Sequence, residues 1–372
     1  MKKVGLTMNG IKIGQYEIEL PIFQGGMGLG ISWGNLAGTV SKNGALGIIS
    51  AMGTGVYKKG QYAAKTHGEQ NRPVGSKNAF SAEALKHIFA DARAICGDKP
   101  LACNILYAIN DYDRVVGDAI AAGANIIVTG AGLPLNLATL VVDHPTVEII
   151  PIVSSGRALK IICNRWKRVG RLPAAVIVEG PKSGGHQGAK YDELFAPEHQ
   201  LEAILPGVLA ERDKWGDFPV IVAGGVWDGF DILAFQKMGA AGVQMGTRFV
   251  ATYECDASDV MKQVMIDSKE EDIKIISSPV GYPGRAFNTP LVQNLKPDPK
   301  IKCFANCVSP CQKGIGARAV GYCIAESLAD AYEGILETGL YFTGANGWRV
   351  DRLYSVKELL DELTLPLKNN IV

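Results

Sequence analysis

Residues 176–188 read Val176-Ile177-Val178-Glu179-Gly180-Pro181-Lys182-Ser183-Gly184-Gly185-His186-Gln187-Gly188. A β-branched apolar run ends in an acidic residue, and a loop with four glycines then presents one histidine. Glycine lets the backbone approach a ligand closely, and histidine is the side chain best suited to move protons near neutral pH. Taken alone, the stretch is better explained as a glycine-rich turn with a surface histidine. The rest of the chain must decide between such a turn and a functional site.

Short apolar runs like Val176–Val178 recur along the chain and alternate with helical patterns. Eight strands are predicted, at Glu19–Gln24, Leu46–Ala51, Pro100–Ile105, Asn125–Thr129, Val147–Val153, Ala174–Glu179, Phe218–Ala223 and Ala241–Met245. Seven helices are predicted between and after them, at 32–43, 81–94, 112–122, 135–142, 156–169, 197–215 and 228–238, and Pro206-Gly207 is expected to divide the sixth. Strands that lack in/out alternation are those buried on both faces, as in parallel sheets. The pattern predicts an α/β (β/α)8 TIM barrel, with a doubly wound sheet as the alternative.

A barrel changes the meaning of the histidine loop. Every loop that follows a barrel strand faces the same mouth, where active sites are built. Glycines concentrate in these loops, for example at Gly25-Gly26, Gly184-Gly185 and Gly224-Gly225. His186 would therefore project into a shared pocket, and a functional site becomes the better interpretation.

Composition narrows the class of protein. The 372 residues carry a formal net charge of +1, with 47% hydrophobic and 20% charged residues, which gives no sign of a nucleic-acid binder. The first ten residues contain lysines but no continuous apolar core of a signal peptide. No run approaches the roughly 20 apolar residues of a membrane span. We expect a soluble, cytoplasmic protein.

Beyond Arg248 the alternation stops. Helices are predicted at 256–268, 317–334 and 357–363, whereas 277–315 is rich in proline and glycine. The segment 270–316 is too short and too poor in apolar runs to hold its own core. We therefore predict a barrel over 1–269, a lid insertion over 270–316 and C-terminal helices over 317–372 that pack on the barrel.

Two loops resemble a phosphate site. Gly224-Gly225 follows the seventh strand, and Gly246-Thr247-Arg248 follows the eighth. In many barrels, backbone N–H groups of these loops and a helix N-terminus hold a phosphate. Tight βα turns would use the same residues. No GxGxxG lies within a βαβ unit, so a mononucleotide flavin fits better than a dinucleotide of the Rossmann type.

Eight cysteines are unevenly placed. Four of them, Cys303, Cys307, Cys311 and Cys323, fall within 21 residues. In a cytosolic chain such a cluster suggests a metal before a disulfide. Four thiolates suit an iron–sulfur cluster or structural zinc. Four unliganded cysteines are the alternative, and spacing alone does not choose.

Four blocks in order resemble the nitronate monooxygenase (2-nitropropane dioxygenase-like) flavoproteins. They are Pro21–Gly28, Gly184–Gly188, Val222–Gly225 and Gly246–Phe249. That superfamily includes the FMN-dependent enoyl-acyl-carrier-protein reductases. The resemblance implies an FMN-containing barrel in which His186 is the catalytic acid/base. It places the cofactor on Gln24, Gly25, Gly26, Met27, Asn104, Glu179, Lys182, Gly185, Gly224, Gly225, Gly246 and Thr247, with the phosphate on the last four.

The chain departs from the general family at two places. The usual members have Glu-Ala-Gly-Gly-His where this chain has Lys182-Ser183-Gly184-Gly185-His186 at the end of a longer loop. Lys182 either puts a positive charge near the flavin or substrate or is a solvated lysine. The second departure is the cysteine cluster.

The cysteines, together with Gly30-Ile31-Ser32-Trp33, resemble the FabX-type acyl-acyl-carrier-protein dehydrogenase/isomerase branch. The resemblance implies a [4Fe–4S] cluster on Cys303, Cys307, Cys311 and Cys323. It also implies dehydrogenation of a saturated acyl thioester to the trans-2-enoyl form and isomerisation to cis-3. The partners would be an acyl carrier protein, oxygen or another electron acceptor, and a second copy in a homodimer.

Other functions remain open on the same scaffold. One is oxidation of alkyl nitronates by FMN and oxygen, and another is enoyl reduction with a nicotinamide. A flavin- and cluster-bearing redox sensor or electron carrier would not need His186. Basic residues at Lys58, Lys59 and the Lys160–Arg168 face either meet the acidic carrier or are solvated surface charges.

Overall fold

The computed structural model describes residues 10–54, 81–301, 307, 309, 311–312 and 315–368. Its strands are β1 (Ile11–Ile13), β2 (Tyr16–Ile18), β3 (Ile22–Gln24), β4 (Gly47–Ser50), β5 (Leu101–Leu106), β6 (Ile126–Gly130), β7 (Glu148–Val153), β8 (Val176–Glu179), β9 (Gly185–His186), β10 (Val220–Ala223), β11 (Gly242–Met245), β12 (Ile273–Ser277) and β13 (Pro283–Phe287). The α-helices are α1 (Gly34–Lys42), α2 (Ala82–Cys96), α3 (Tyr112–Ala121), α4 (Leu137–Leu140), α5 (Gly156–Trp166), α6 (Leu201–Arg212), α7 (Gly229–Lys237), α8 (Thr247–Val250), α9 (Asp259–Asp267), α10 (Pro290–Gln293), α11 (Ala317–Val320), α12 (Ile324–Tyr332) and α13 (Val356–Lys368).

Eight parallel strands form one sheet in the order β3-β11-β10-β8-β7-β6-β5-β4. The two ends of the sheet meet at a parallel bridge between Phe23 and Leu46. Gln24 N donates to Leu46 O at 2.9 Å, and Leu46 N donates to Ile22 O at 3.0 Å. A doubly wound sheet would leave both edge strands unpaired. The predicted (β/α)8 barrel and its eight strands are confirmed.

The barrel interior is filled by apolar side chains and closed at its amino-terminal end by a hairpin. The interior cluster contains Phe23, Leu46, Ile48, Ala102, Ile126, Val128, Ile150, Ala175, Ile177, Ile221 and Ala223. Ile11, Ile13 and Ile18 of the β1–β2 hairpin belong to the same cluster, so the hairpin covers the amino-terminal end of the strands. This hairpin is not among the elements predicted from the sequence. The outer faces of the strands pack against the helices in a second, larger core.

A second sheet stands at the carboxyl end of the barrel. Strands β12, β13 and β9 pair in that order, all antiparallel, with His186 opposite Gly284 and Gly185 opposite Arg285. The segment predicted as a lid thus supplies two strands, which were missed because Pro283-Gly284 reads as a turn. The division of the chain into barrel, lid and C-terminal helices stays a prediction.

Two helix predictions need correction. The helix predicted over 317–334 is two helices, α11 and α12, because Gly321 takes a left-handed conformation with φ of +91° and ends the first. Cys323 is therefore the N-cap of α12 rather than a residue inside a helix. Conversely, α6 runs through Pro206 without a break.

Within the described residues, no helix is both long enough and apolar enough to cross a bilayer.

Candidate active site at the barrel mouth

The carboxyl ends of the strands bring four polar side chains to the top of the barrel interior. Ser50, Asn104 and Glu179 each follow an interior residue by two positions, and side chains two apart on a strand share a face. Gln244 pairs with interior Ala223 across the β10–β11 register. The interior is therefore apolar below and polar at the mouth, where a ligand with both ring and polar edges would be held.

The first βα loop lies against this polar layer. A side chain added at Gly26 would collide with Asn104, and one added at Gly25 would reach Gln244 at 3.3 Å. The sulfur of Met27 lies next to Gly246 of the eighth loop. Glycine at position 26 thus allows the loop to pack directly against Asn104, which any larger residue would displace. The structure brings Gly25, Gly26, Met27, Asn104 and Gly246 together at this end of the barrel.

Gln24 has a different position from its loop neighbours. Its side chain is fully buried, its Oε1 accepts from Ile48 N at 3.1 Å, and its Nε2 donates to Gly25 O. The amide therefore bridges β3 and β4, the seam of the barrel. Any contact of Gln24 with a cofactor would have to come from its backbone.

The seventh and eighth loops meet the histidine loop. Gly224 has φ of +96°, and a Cβ there would stand 2.7 Å from Gly180 O and 3.0 Å from Ser183 N. The side chain of Lys182 lies over Gly225, although Lys182 is exposed. Gly224, Gly225 and Lys182 are thus adjacent, in a narrow cleft that only glycine backbone can line.

A C-terminal strap, defined here as residues 343–346, crosses these loops. Ala345 N donates to Lys182 O at 3.1 Å, Gly344 N donates to Thr247 Oγ1 at 3.0 Å, and the Asn346 amide donates to Gly225 O at 2.7 Å. The strap therefore ties three mouth loops to one another. Sequence reasoning missed it; the Gly344-Ala345-Asn346-Gly347 run was its only signal.

Arg248, which follows Thr247 in the eighth loop, is held by packing contacts and is not positioned to add charge at the proposed phosphate loops. It is 3% exposed, its guanidinium donates to Trp227 O at 3.1 Å and pairs with Glu362 at 2.9 Å, and it stacks on the Trp227 ring at 4.6 Å. These contacts tie the eighth βα unit to α13. Arg248 is a structural residue.

His186 lies on β9 above the mouth. Its Nε2 lies 2.7 Å from Ser278 Oγ, and its ring meets Phe342 edge-on, with centroids 5.2 Å apart. Burial lowers the pKa of His186 to about 4, because a charged imidazolium loses solvation in an apolar surround. The imidazole is therefore neutral at physiological pH and able to accept a proton.

Glu179 ends β8 at the base of the same loop. The Ser183 hydroxyl donates to its Oε1 at 3.2 Å. Burial raises the pKa of Glu179 to about 7, and the Ser183 hydrogen bond only partly opposes the rise. A carboxyl with this pKa can donate a hydrogen bond as the acid or accept one as the carboxylate near neutral pH.

Arg285 holds the histidine loop from below. It is 5% exposed, and its guanidinium donates to Pro181 O and Ser183 O, both at 2.7 Å. In the described part of the chain no carboxylate pairs with it. Burial lowers its pKa to about 10, and it remains a cation. The sequence offered no signal for this role, because one arginine in a proline- and glycine-rich segment looks like surface.

Three of the four clustered cysteines are described, and all are half-buried. Asn110 donates to Cys307 O at 2.9 Å, and Ser309 donates to Ala108 O at 2.9 Å, so the segment contacts the loop after β5. Burial raises the pKa of Cys323, and nearby Cys307 adds to the rise. Among the described residues no group of three or more His, Cys, Asp or Glu side chains is arranged to hold a metal ion. Cys303 lies outside the described residues, as do Lys58 and Lys59.

Comparison with known proteins decides the family. The sequence profile of the nitronate monooxygenase family matches residues 9–366, nearly the whole chain. The chain belongs to the nitronate monooxygenase family. Members of this family are flavin oxidoreductases, so an oxidoreductase built on a flavin-binding barrel is the class of this enzyme.

Individual relatives of this nitronate monooxygenase-family chain differ in their names. A probable nitronate monooxygenase of Staphylococcus haemolyticus is 28% identical over 293 residues, 75% of this chain and 78% of that protein. A (3aS,4S,5R,7aS)-5-hydroxy-7a-methyl-1-oxo-octahydro-1H-indene-4-carboxyl-CoA dehydrogenase of Rhodococcus jostii is 30% identical over 282 residues, 75% of this chain and 65% of that protein. The structure of FabK from Thermotoga maritima superposes with a TM-score of 0.69 and 27% identity, over 94% of this chain and 93% of FabK.

The mouth fits a flavin on its own evidence. Gln244 Oε1 is buried and has no hydrogen-bond partner in the described part of the chain. A buried carbonyl oxygen without a donor costs free energy unless a ligand supplies one. The Gln244 side chain lies beside Gly25 of the first βα loop. The N–H groups of a flavin ring are donors of the required kind.

Proposed function

We propose that this chain dehydrogenates a saturated acyl thioester carried on an acyl carrier protein to the trans-2-enoyl thioester and isomerises it to the cis-3 form. The observation that carries the proposal is His186, a half-buried neutral imidazole on a loop that packs against Gly224 of the proposed phosphate site. A thioester α-proton is weakly acidic, and its removal needs a positioned neutral base.

The cofactor would be FMN, with its phosphate on Gly224, Gly225, Gly246 and Thr247 and its ring near Gly25, Gly26, Met27 and Asn104. Glu179, Lys182 and Gly185 would border it from the histidine loop, and Gln244 would accept a hydrogen bond from it. When bound, FMN supplies the acceptor for the hydride that leaves the β-carbon. Oxygen or another acceptor then removes the two electrons.

His186 would act twice. It takes the α-proton as the β-hydride leaves, so the substrate loses one proton and one hydride in total. After His186 has released that proton to solvent, it takes a proton from the γ-carbon and returns it to the α-carbon, which shifts the double bond without changing the oxidation state. Backbone N–H groups of the glycine loop or the Lys182 ammonium would stabilise the enolate-like oxygen.

The Rhodococcus relative supports dehydrogenation of a thioester, since its name describes a carboxyl-CoA dehydrogenase. The preference for a carrier protein rests on the resemblance of the cysteine segment to the FabX-type branch. An exposed basic face on α5 is the surface we assign to the carrier. Arg165 and Arg168 line a groove there of about 630 Å³, with Tyr107 and Leu135.

The deciding experiment mixes the oxidised enzyme anaerobically with decanoyl-carrier protein and follows bleaching of the flavin absorbance. We expect rapid bleaching by the wild type and a loss of roughly 10²-fold or more in rate for His186→Gln. No bleaching, alongside fast turnover of alkyl nitronates, would establish nitronate oxidation instead. Full activity of His186→Ala would favour a redox sensor or electron carrier.

The carrier surface has its own test. Arg165→Glu with Arg168→Glu should slow bleaching by decanoyl-carrier protein and leave bleaching by decanoyl-pantetheine unchanged, because only the former needs the basic face. Arg114→Glu, on a different exposed helix with its own carboxylate partners, is the matched control. Equal slowing with both substrates would exclude α5 as the carrier surface.

Nitronate oxidation is the second candidate, favoured by the named staphylococcal relative. It uses the same neutral base and flavin but needs no carrier surface. The two activities are separated by the substrates in the bleaching experiment. In enoyl reduction, a reduced nicotinamide would bleach the flavin. The same absorbance measurement detects that bleaching.

The cysteine cluster is a further part of the proposal. A [4Fe–4S] cluster would be held by Cys307, Cys311 and Cys323, with Cys303 as the fourth ligand. No step of the proposed reaction passes through the cluster. We expect about four iron and four sulfide ions per chain and a broad visible shoulder beside the flavin bands. Cys323→Ser should abolish the shoulder, whereas Cys163→Ser, in a buried cysteine far from the cluster, should not. Iron-free protein with an unchanged flavin spectrum would contradict it.

A further inference from the structure

Phe342 lies against the short sheet that carries His186. It forms an antiparallel bridge with Ala286 of β13, and His186 is paired with Gly284 of the same strand. Residues directly opposite each other in an antiparallel pair share a face of the sheet, and so do residues two apart on one strand. His186 and Phe342 are therefore on the same face. No step of the proposed reaction has used Phe342.

Two glycines admit the aromatic ring to this face. A Cβ added at Gly284 would stand 3.1 Å from Cε1 of Phe342, and one added at Gly185 would stand 3.7 Å from its Cδ2. The ring thus packs on the backbone of both strands. From there it meets the His186 ring edge-on, with 70° between the ring planes and 5.2 Å between the centroids, which is the geometry of a favourable aromatic pair.

The imidazole has one polar and one apolar neighbour. Its Nε2 lies 2.7 Å from the hydroxyl of Ser278, which is 1% exposed. The Phe342 ring offers no hydrogen bond and excludes water from the surface that it covers. His186 itself is half-buried, so part of its ring remains accessible to a substrate.

The charged and titratable groups of the neighbouring elements are engaged elsewhere. Arg285, the residue after Gly284, points to the other face and donates to two carbonyls of the histidine loop. Lys274 of β12 is exposed, Tyr322 donates to a backbone carbonyl, and Glu179 accepts from a hydroxyl of its own loop. Burial is what lowers the pKa of the histidine. The neutral state of the imidazole therefore depends on the groups that keep water from it.

We propose that Phe342 is a positioning residue whose ring closes one side of the His186 imidazole and keeps it out of water and against Ser278. The inference rests on the proposed role of His186 as acid/base and names the residue that keeps it ready to accept a proton. Phe342 immediately precedes the strap, and Thr343 N donates to Arg285 O at 3.1 Å. The segment that ties the mouth loops together therefore also places this ring.

An NMR titration of the oxidised holoenzyme, labelled with nitrogen-15 in histidine, tests this role without any substrate. The chain has five histidines, and the His186 signals are those that His186→Gln removes. The wild-type imidazole should stay neutral from about pH 8 to about pH 5, because burial disfavours its charged form. In Phe342→Ala water reaches the imidazole, and the His186 pKa should rise from about 4 towards its ordinary value of 6.5.

Three further variants make the titration specific. Phe342→Leu keeps an apolar side chain and a folded protein, and it should still raise the His186 pKa because leucine covers less of the imidazole than a ring does. Phe342→Tyr keeps the ring and should retain the wild-type pKa. Phe195→Ala is the matched control, since Phe195 is 67% exposed on the segment that follows His186.

The rate of flavin bleaching by decanoyl-carrier protein should follow the same pKa. A base is lost when it is protonated, so the wild-type rate should be nearly equal at about pH 8 and about pH 5.5. Phe342→Ala should be about tenfold slower at the lower pH, because a histidine of ordinary pKa is mostly charged there.

The outcomes separate this inference from the function it rests on. A wild-type His186 pKa in both Phe342→Ala and Phe342→Leu would overturn the inference, and so would an equal rise in Phe195→Ala. A rise in the Phe342 variants alone supports it. Rapid bleaching by His186→Gln would remove the proposed catalytic role, while the titration would still report whether Phe342 shields the imidazole.

Discussion

Glu179 and His186 lie at the two ends of one loop, and burial makes both of them uncharged. The pKa of Glu179 is raised to about 7 and that of His186 is lowered to about 4. Between these values neither side chain carries a charge. A mouth lined by neutral acid and base is suited to a neutral substrate and a planar ring, because no buried ion has to be solvated when they enter.

Glu179→Gln should change how stability depends on pH. The folded pKa of Glu179 lies above its ordinary value of 4.5, so the fold prefers the protonated acid. Its contribution is present below about pH 4.5 and is lost as the pH rises through about 7. Urea unfolding at about pH 5 and about pH 8 measures this effect. The unfolding free energy of Glu179→Gln, relative to that of the wild type, should be higher at pH 8 than at pH 5 by on the order of 1–3 kcal/mol.

Two features make this test specific. Glutamine keeps the size and a hydrogen bond to Ser183 but cannot ionise. His186 contributes in the opposite sense, since its lowered pKa costs stability as the pH falls below its ordinary value of 6.5, and it is present in both proteins. Parallel stability curves for wild type and Glu179→Gln would show that Glu179 titrates normally in the fold.

At the level of elements, the strap of residues 343–346 organises the mouth. It bonds the histidine loop, the seventh loop and the eighth loop through three separate hydrogen bonds. Thr343 N also donates to Arg285 O on β13 at 3.1 Å. Gly344 lies 97 positions after Thr247, so a distant segment of the chain ties the barrel loops to one another.

Asn346→Ala should weaken flavin retention. The Asn346 amide fixes the carbonyl of Gly225 at 2.7 Å, and its loss leaves the proposed phosphate loop free to move. We expect about tenfold weaker flavin binding, measured by recovery of flavin fluorescence on dilution. Asn294→Ala is the control, because that amide bonds only Pro290 O within its own turn. Equal flavin affinity in the two variants would mean that the strap does not support the cofactor.

At the level of the whole molecule, stability depends on closing the barrel. Phe23 is fully buried in the interior and forms the bridge to Leu46 at the seam, where the Gln24 amide adds its bonds to Ile48. The β1–β2 hairpin covers the amino-terminal end of the barrel strands. Interior packing and the closing hydrogen bonds thus coincide at one place.

Phe23→Ala should therefore cost about 3–5 kcal/mol of unfolding free energy, since it leaves a cavity where the strands close. Phe230, on α7, is 58% exposed, and Phe230→Ala should change the unfolding free energy by less than about 0.5 kcal/mol. Denaturant unfolding of the two variants measures the difference. A small effect at Phe23 would show that the interior repacks around the seam.

Much of this architecture is predictable because it is periodic. Short apolar runs such as Val176–Val178 are buried on both faces, and their alternation with helices determines a parallel sheet. Residues next to strand ends, including Gly26, Asn104 and Gly224, lie at the same end of the barrel because parallel strands share one carboxyl end. The pattern of strands in the sequence predicts where these residues lie without any information about contacts.

Other features depend on contacts between distant parts of the chain. No periodic pattern of apolar residues marks the break at Gly321, the β12–β13 strands or the strap. The sequence therefore did not predict them. Arg248 and Gln24 are of residue types that are common in binding sites, but their side chains are used in packing. Only their hydrogen-bond partners in the structure reveal this role. Arg285 lies 104 residues from Pro181 of the loop that it holds, and Ser278 lies 92 residues from the His186 ring that it contacts.

The sequence by itself determined the barrel, the mouth and the histidine, because each follows from local polarity and from the common direction of the strands. Only the tertiary structure decided how that histidine is held, how it is buried to stay neutral and which loops are tied together. Those properties come from hydrogen bonds and desolvation between segments far apart in the chain, and no local pattern encodes them.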